Sequence, residues 1–464
     1  MKEQIRAKFE AYRDEMLEDL AALVAINSVR GTTTEKYPFG EAPAKALELA
    51  LAQGERMGFT TENVDYYAGT IDLGTTERMI GVLAHLDIVP AGQGWASDPF
   101  TLTLRNNRLY GRGVVDDKGP VVAALYGMRI LRDLQVPLNK RIRLILGTNE
   151  ELGSACMKYY AEHRPIPECG FTPDADYPLI NGEKGNFLTI LSFPNESTPV
   201  RSIQGGEVFN AVPAFCEAVL DGKQVDLDAL RASVNTADTL GFQPEFSRDT
   251  DGNIHMITRG FASHGSLPHL GKNAVVSCAL ILVNYLGRSA GKMLRFVAES
   301  IGRETDGRTL GLKSEDALSG SLTFNLGWIR YNADEQKLGI DIRFPISLSL
   351  ADMTSIYRKM TETHKISFEI SSASEPHYVP RDHEVVKRLM AAYREVTGDE
   401  QAQPMVIGGG TYAKKLGKNF VAFGPDFVGM ESTQIHNVDE HISLERFLDH
   451  CVICTMGMMR LAMD

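Results

Sequence analysis

The chain has little of what secreted, membrane-spanning or nucleic-acid-binding proteins are built on. Cysteine is scarce, with six in 464 residues, and Cys156, Cys169, Cys216, Cys278, Cys451 and Cys454 are scattered. That usage suits reduced thiols in a cytoplasmic protein better than a disulfide framework. Cys451-x-x-Cys454 has no second pair to complete a zinc ribbon and lies in an apolar helical run, so it reads as core packing. No stretch approaches the ~18 continuous apolar residues of a membrane helix. The amino-terminal segment mixes acids and bases at helical spacing and lacks the apolar core of a signal peptide. Positive charge is short too. Lys plus Arg number 48 against 60 Asp plus Glu, a formal net charge of −12, which argues against a nucleic-acid or anionic-membrane surface. Internal repeats and low-complexity tracts are absent.

What is present is the balance of a globular protein, 43% hydrophobic and 23% charged, in a chain long enough for two or three domains. Up to about residue 185 strands and helices alternate. Met79 to Ala84 and Arg141 to Leu146 are apolar and strand-like, and the segment around Asn106 and Asn107 reads as a hairpin. Pro120 to Leu134 has helical periodicity, with the proline suited to a first turn. This is the pattern of an α/β layered domain. From about 186 to 380 the texture shifts to longer strand pairs, including a hairpin turning at Asp251-Gly252. After Pro380 an amphipathic helix ends at Gly398, and the strand–helix alternation resumes. The expected organisation is a first domain built from 1–185 and 381–464, with a second unit, 186–380, inserted in it.

Chemistry-bearing residues collect just past predicted strands: His85 and Asp87, Asp116 and Asp117, Glu150 and Glu151, and Asp174. His436 lies far downstream. Each cluster alone has a bland reading, such as a helix cap or a solvated turn. Together they put carboxylates and imidazole at the carboxyl edge of a sheet, where α/β folds bind ligands. Imidazole and carboxylate without thiolate is a donor set that zinc or manganese accepts.

These strings carry a resemblance. LAHLDIVPAG, LYGRGVVDDKGP, TNEELGS, FTPDADYPLINGEKG, FNAVP, ASHGSLPHLGKNA, DIRFP, VIGGGTYAKK and IHNVDEHIS occur in one order along the chain. In them the sequence resembles the M20-family metallopeptidases, among these the PepV-type bacterial dipeptidases. The resemblance implies a zinc-exopeptidase-like, three-layer α/β catalytic domain with an inserted α+β lid. It implies two divalent metal ions, zinc first, with manganese or cobalt as alternatives. Asp116 would bridge them, His85 and Asp174 completing one site and Glu151 and His436 the other, with a hydroxide between the metals. Glu150 would be the general base. Asp87, two residues from His85, projects to the same face of an extended segment and there could hold the ring's other nitrogen, unless it is merely an exposed turn acid. In the lid, His264 would stabilise the oxyanion, with His269 the nearest alternative. Asn210, Arg343, Gly409, Gly410 and Thr411 would bind substrate, although Arg343 also reads as an ion pair and the glycines as simple turns.

The function implied is a cytoplasmic dipeptidase of the EC 3.4.13 type. It would be a monomer that hydrolyses small peptides with a free amino terminus and needs neither nucleic acid nor membrane. Two alternatives stay open: an N-acyl amino-acid deacylase of the same family, and a non-catalytic, metal-dependent peptide-binding protein.

Overall fold

A computed structural model describes residues 1–463 except 235–240 and 242. The chain divides into two units. The first is Met1–Gly182, Tyr378–Val406 and Gly410–Asp464; the second is Glu183–His377 with Ile407–Gly409.

The first unit is built on a mixed sheet. Six of its nine strands run in the order Thr60–Val64, Ala68–Leu73, Arg141–Gly147, Met79–His85, Cys169–Thr172 and Phe420–Ala422. The last four are parallel neighbours, and Ala68–Leu73 joins Arg141–Gly147 antiparallel. Met79–His85 is buried along its whole length, as a central parallel strand must be when both faces are covered. Alternate residues serve opposite layers. Ile80, Val82 and Ala84 pack with helices Lys2–Val24, Lys118–Asp133, Glu384–Thr397 and Leu444–Ala462 in one core. Leu83 packs with Cys156, Met157 and Tyr160 of Ala155–His163 in another. This is the three-layer α/β arrangement.

Local chemistry accounts for several boundaries. Asn106 and Asn107 take positive φ (51° and 58°) between the paired strands Thr103–Arg105 and Arg108–Tyr110, as a tight hairpin requires. Pro120 sits in the first turn of Lys118–Asp133, where no backbone donor is needed. Gly398, in the left-handed region, ends Glu384–Thr397. Cys451 and Cys454 are buried in Leu444–Ala462 as core residues, and all six cysteines are free thiols. No helix of the described residues is long and apolar enough to cross a membrane.

The second unit holds an antiparallel sheet ordered Glu245–Arg248, Ile254–Arg259, Phe215–Leu220, Val200–Gly205, Thr323–Tyr331, Gln336–Phe344, Gly185–Ser192 and Ser367–Ser374. Residues of Gly185–Ser192 alternate between buried and half-buried, the period of a sheet with one face in a core. Helices Ala274–Leu286 and Leu350–His364 contribute to that core. Ala274–Leu286 starts on Asn273, whose side chain accepts the Val275 and Val276 amides, and Leu350–His364 starts on a Ser349/Asp352 capping box.

Candidate metal centre

Parallel pairing aligns the carboxyl ends of three strands of the first unit. His85 is the last residue of its strand and pairs with Gly147, and Glu150 and Glu151 follow in the turn after Gly147. Asp174 comes just beyond Cys169–Thr172. Asp116 and Asp117 differ from the expectation that each cluster follows a strand of the sheet. They end a loop, and Asp117 is the residue immediately before helix Lys118–Asp133. His436 lies in a carboxy-terminal loop with φ of 63°.

The folded chain brings these residues into two overlapping triads. His85, Asp116 and Asp174 offer ligand atoms within 4.8 Å of one another, and so do Asp116, Glu151 and His436. Asp116 belongs to both: its Oδ1 lies 2.8 Å from His85 Nε2 and its Oδ2 lies 2.8 Å from His436 Nε2. Asp174 Oδ2 is 3.8 Å from His85 Nε2, and Glu151 Oε2 is 3.3 Å from His436 Nε2. Among the described residues His85 Nε2, Asp116 Oδ1 and Glu151 Oε1 are buried without a hydrogen-bond partner. Buried polar atoms are rarely left so. Atoms aimed at common points with lone pairs unused fit divalent cations held by nitrogen and oxygen.

The electrostatics point the same way. Burial alone would raise the Asp116 pKa, but the His436 and His85 imidazoles override it and hold Asp116 well below the carboxylate range. Burial would lower His436, yet the Asp116 and Glu151 carboxylates raise it to about 11. Elsewhere burial wins. It raises Asp174 and Glu151, with the charge of Asp116 adding to each, and it takes Glu150 up to about 8. A half-buried cluster with more carboxylates than imidazoles is short of positive charge, which two dications would supply.

Asp87 is 1% exposed and does more than steady a ring. His85 Nδ1 bonds to the Asp87 backbone carbonyl at 2.9 Å, with the carboxylate 3.5 Å away. The carboxylate instead accepts the backbone N–H groups of Glu150, at 2.9 Å, and Glu151, at 3.1 Å. It thereby fixes the turn that carries both glutamates. Asp117 accepts the His85 N–H at 2.9 Å, so His85 is held from both sides.

Comparisons with known proteins identify the family. The model of the family described as "Peptidase family M20/M25/M40" matches residues 81–463. The chain belongs to peptidase family M20. "Putative dipeptidase YtjP" of Bacillus subtilis is 36% identical over 462 residues, 97% of this chain and 98% of that protein. A "Putative dipeptidase" of Staphylococcus epidermidis is 34% identical over 449 residues, covering 94% and 95%. Among solved structures, human carnosine dipeptidase 1 matches with a TM-score of 0.60 at 16% identity, over 99% of this chain and 98% of its own. The Saccharomyces cerevisiae di-peptidase Dug1p matches at 0.60 with 12% identity, over 100% and 99%. Both of these likenesses are of fold.

In this M20 chain the remaining candidate residues fall largely in the second unit. His264 is exposed there, and its Nδ1 accepts the Ser266 backbone N–H at 3.2 Å, with Ser266 Oγ at 2.7 Å. Asn210 lies beside it: Ala211 bridges to His264, and the Gly265 N–H donates to the Asn210 carbonyl at 2.7 Å. Arg343 is buried, not a surface pair. Its Nε and Nη2 clasp Asp341 at 2.8 and 3.0 Å, while Nη1 donates to the Gly408 carbonyl at 3.1 Å. A Cβ at Gly265 would meet Asp341 Oδ2 at 2.8 Å, so the glycine makes room for that pair. Gly409 belongs to this unit. Gly410 and Thr411 belong to the first, where Thr411 Oγ1 caps the turn Tyr412–Lys414. His269 is exposed.

Several M20-site neighbours escape a reading of the sequence alone. Asn149 is fully buried with neither amide atom bonded among the described residues. Lys118, also fully buried, donates to the carbonyls of Leu23, at 2.9 Å, and Ile26, at 2.7 Å, where the first helix ends. Burial lowers its pKa to about 7 against the pull of Glu440 and Asp87. Asp341, Arg112 and Glu440 complete the set. The textual hint is that all five stand inside the strings TNEELGS, LYGRGVVDDKGP, DIRFP and IHNVDEHIS.

Proposed function

We propose that this M20 peptidase is a dipeptidase that hydrolyses dipeptides with a free amino terminus. It would use two divalent cations, zinc first, with manganese or cobalt as alternatives. The observation that carries the reading is Asp116, one carboxylate shared by two triads in which His85 Nε2, Asp116 Oδ1 and Glu151 Oε1 are buried without a hydrogen-bond partner. His85 and Asp174 would hold one cation with Asp116; Glu151 and His436 would hold the other. Cations bound there would polarise the scissile carbonyl and bring the pKa of water from about 15.7 towards about 7.

The chain's own groups do the rest. Glu150 accepts a proton from the attacking water as the water oxygen bonds to the carbonyl carbon. It then passes that proton to the leaving nitrogen as the carbon–nitrogen bond breaks, giving a carboxylic acid and an amine. Asp87 holds the Glu150 and Glu151 amides and so keeps base and ligand in register. His264 is assigned the oxyanion, and its tautomer supports this. The Ser266 N–H can only donate, so Nδ1 is an acceptor and the neutral ring carries its proton on Nε2. Arg343, fixed by Asp341, is assigned the substrate carboxylate with Asn210, Gly409, Gly410 and Thr411. The free thiols favour a reducing compartment, and we assign the cytoplasm and a monomeric state.

The test is a panel of free dipeptides and N-acetyl amino acids, with metal analysis of the purified protein. Release of both amino acids from dipeptides, abolished by chelator and restored by metal, is the expected result. A clear preference for N-acetyl substrates would make the chain a deacylase. Tight dipeptide binding with no product over hours would leave a binding protein.

A further inference from the structure

One fully buried carboxylate beside the centre belongs to neither triad. Glu440 stands four residues beyond His436 and is 0% exposed. Its Oε2 accepts from Arg112 Nη1 at 2.7 Å. Both oxygens lie 3.1 Å from the Gly113 nitrogen, and Oε1 takes the N–H groups of Val115, at 2.9 Å, and of Asp116 itself, at 3.2 Å. The Gly111 N–H donates to the Glu440 backbone carbonyl at 3.2 Å. Arg112, 1% exposed, spends Nη2 on the Asn437 carbonyl at 2.9 Å and lies 5.3 Å from the centre of the Trp95 ring.

We propose that Glu440, held by Arg112, is the positioning residue that locks the Asp116 loop to the His436 loop so that Asp116 can serve both triads. The inference rests on reading the triads as cation sites, and not on the identity of the substrate.

Three observations carry it. The segment from Gly111 to Asp117 is neither helix nor strand, so its amides have no regular ladder to satisfy them. Glu440 supplies that ladder from the segment that also carries His436, and Gly113, at φ of 90°, allows the chain to curl round the carboxylate. The grip also reaches the amide of Asp116, whose oxygens stand 2.8 Å from both imidazoles. A bridging ligand has to be held within about 0.5 Å to serve two cations. Finally, a further anion beside a centre rich in carboxylates is unfavourable unless it is paired, and Arg112 is the pair. Filling that space for stability alone would need only an apolar side chain.

Glu440→Gln keeps the size but turns an amide NH2 towards N–H donors and a guanidinium. With circular dichroism and melting in chelator close to wild type, zinc affinity by chelator competition is expected to fall about 10- to 100-fold. The kcat for a dipeptide should fall with KM little changed, and Glu440→Asp should recover part of both. A folded Glu440→Gln that binds two zinc ions at wild-type affinity overturns the proposal. If Glu440→Gln does not fold, Arg112→Lys keeps the charge but cannot reach Glu440 and Asn437 together. Weakened zinc binding in that variant supports the proposal, and unchanged affinity overturns it. A wild type that binds zinc more tightly than Glu440→Gln yet cleaves no dipeptide supports this inference while removing the dipeptidase reading.

Discussion

Glu150→Gln should inactivate this protein and stabilise it at the same time. Burial pushes the Glu150 carboxyl up to about 8 from 4.5 in the metal-free chain, so folding costs free energy wherever the unfolded chain has already released that proton. The sign follows from the two values. Below pH 4.5 the group is protonated in both states and nothing is lost. As pH rises from 4.5 to about 8 the unfolded state alone ionises, and stability falls. Each pH unit is worth about 1.4 kcal/mol, so at pH 7 the cost is roughly 3 kcal/mol. Glutamine has no such term. In a first unit of about 270 residues that gain corresponds to a melting temperature higher by on the order of 5 °C. The assay is thermal unfolding of wild type and Glu150→Gln in chelator at pH 5 and pH 8, repeated with saturating zinc. The variant's advantage should grow with pH in chelator and shrink with zinc, because cations favour the ionised carboxylate. Turnover should drop by roughly 10²- to 10⁴-fold with metal content retained. Near-wild-type turnover would remove Glu150 as the base. A variant equally destabilised with and without metal would show that the burial cost has been misjudged.

Asp116→Asn should lose metal from both sites together, to less than one ion per chain by elemental analysis; loss of a single ion would show that Asp116 does not bridge. Gly147→Ala should destabilise by about 1–3 kcal/mol in urea, because a Cβ there runs into Tyr412, which is fully buried with its Oη 2.9 Å from Cys156 Sγ. His450 is buried with its pKa lowered to about 3 by desolvation, so the folded ring stays neutral while the unfolded one takes up a proton below about 6.5. Stability should therefore fall on acidification from about 6.5 towards 3, by up to about 1.4 kcal/mol per pH unit, and His450→Phe should show a shallower fall over that range. Equal slopes for the two proteins would refute this.

Much of the centre was legible because apolar strands announce their own ends. His85, Glu150 and Asp174 each follow a buried run, and parallel pairing carries those ends to one edge. Asp116 was harder, since it leaves no strand of the sheet; only the resemblance singled it out from a helix-capping acid. Arg343 read as a substrate ligand, with an exposed ion pair as the lesser alternative, and its burial against Asp341 could not be foreseen from two residues in a strand. Asp87 was expected to reach the His85 ring because residues two apart in extended chain share a face. The chain leaves the strand after His85, so the carbonyl makes that bond and the carboxylate turns to the Glu150 amide.

Composition and periodicity, with the family resemblance, determine for this protein a globular balance of residues, the layered α/β class and the residue types that could bind cations. These follow from hydrophobic period and side-chain chemistry, which are local properties. Only the tertiary structure decided which atoms share a point and which stay unpaired. Arg112 and Glu440 meet across 328 positions of sequence. His436 comes against Asp116 from the opposite end of the chain. Those approaches depend on how whole layers pack; the pKa of Glu150 rises only once packing has buried it, and that of His436 only once Asp116 and Glu151 are brought against the ring.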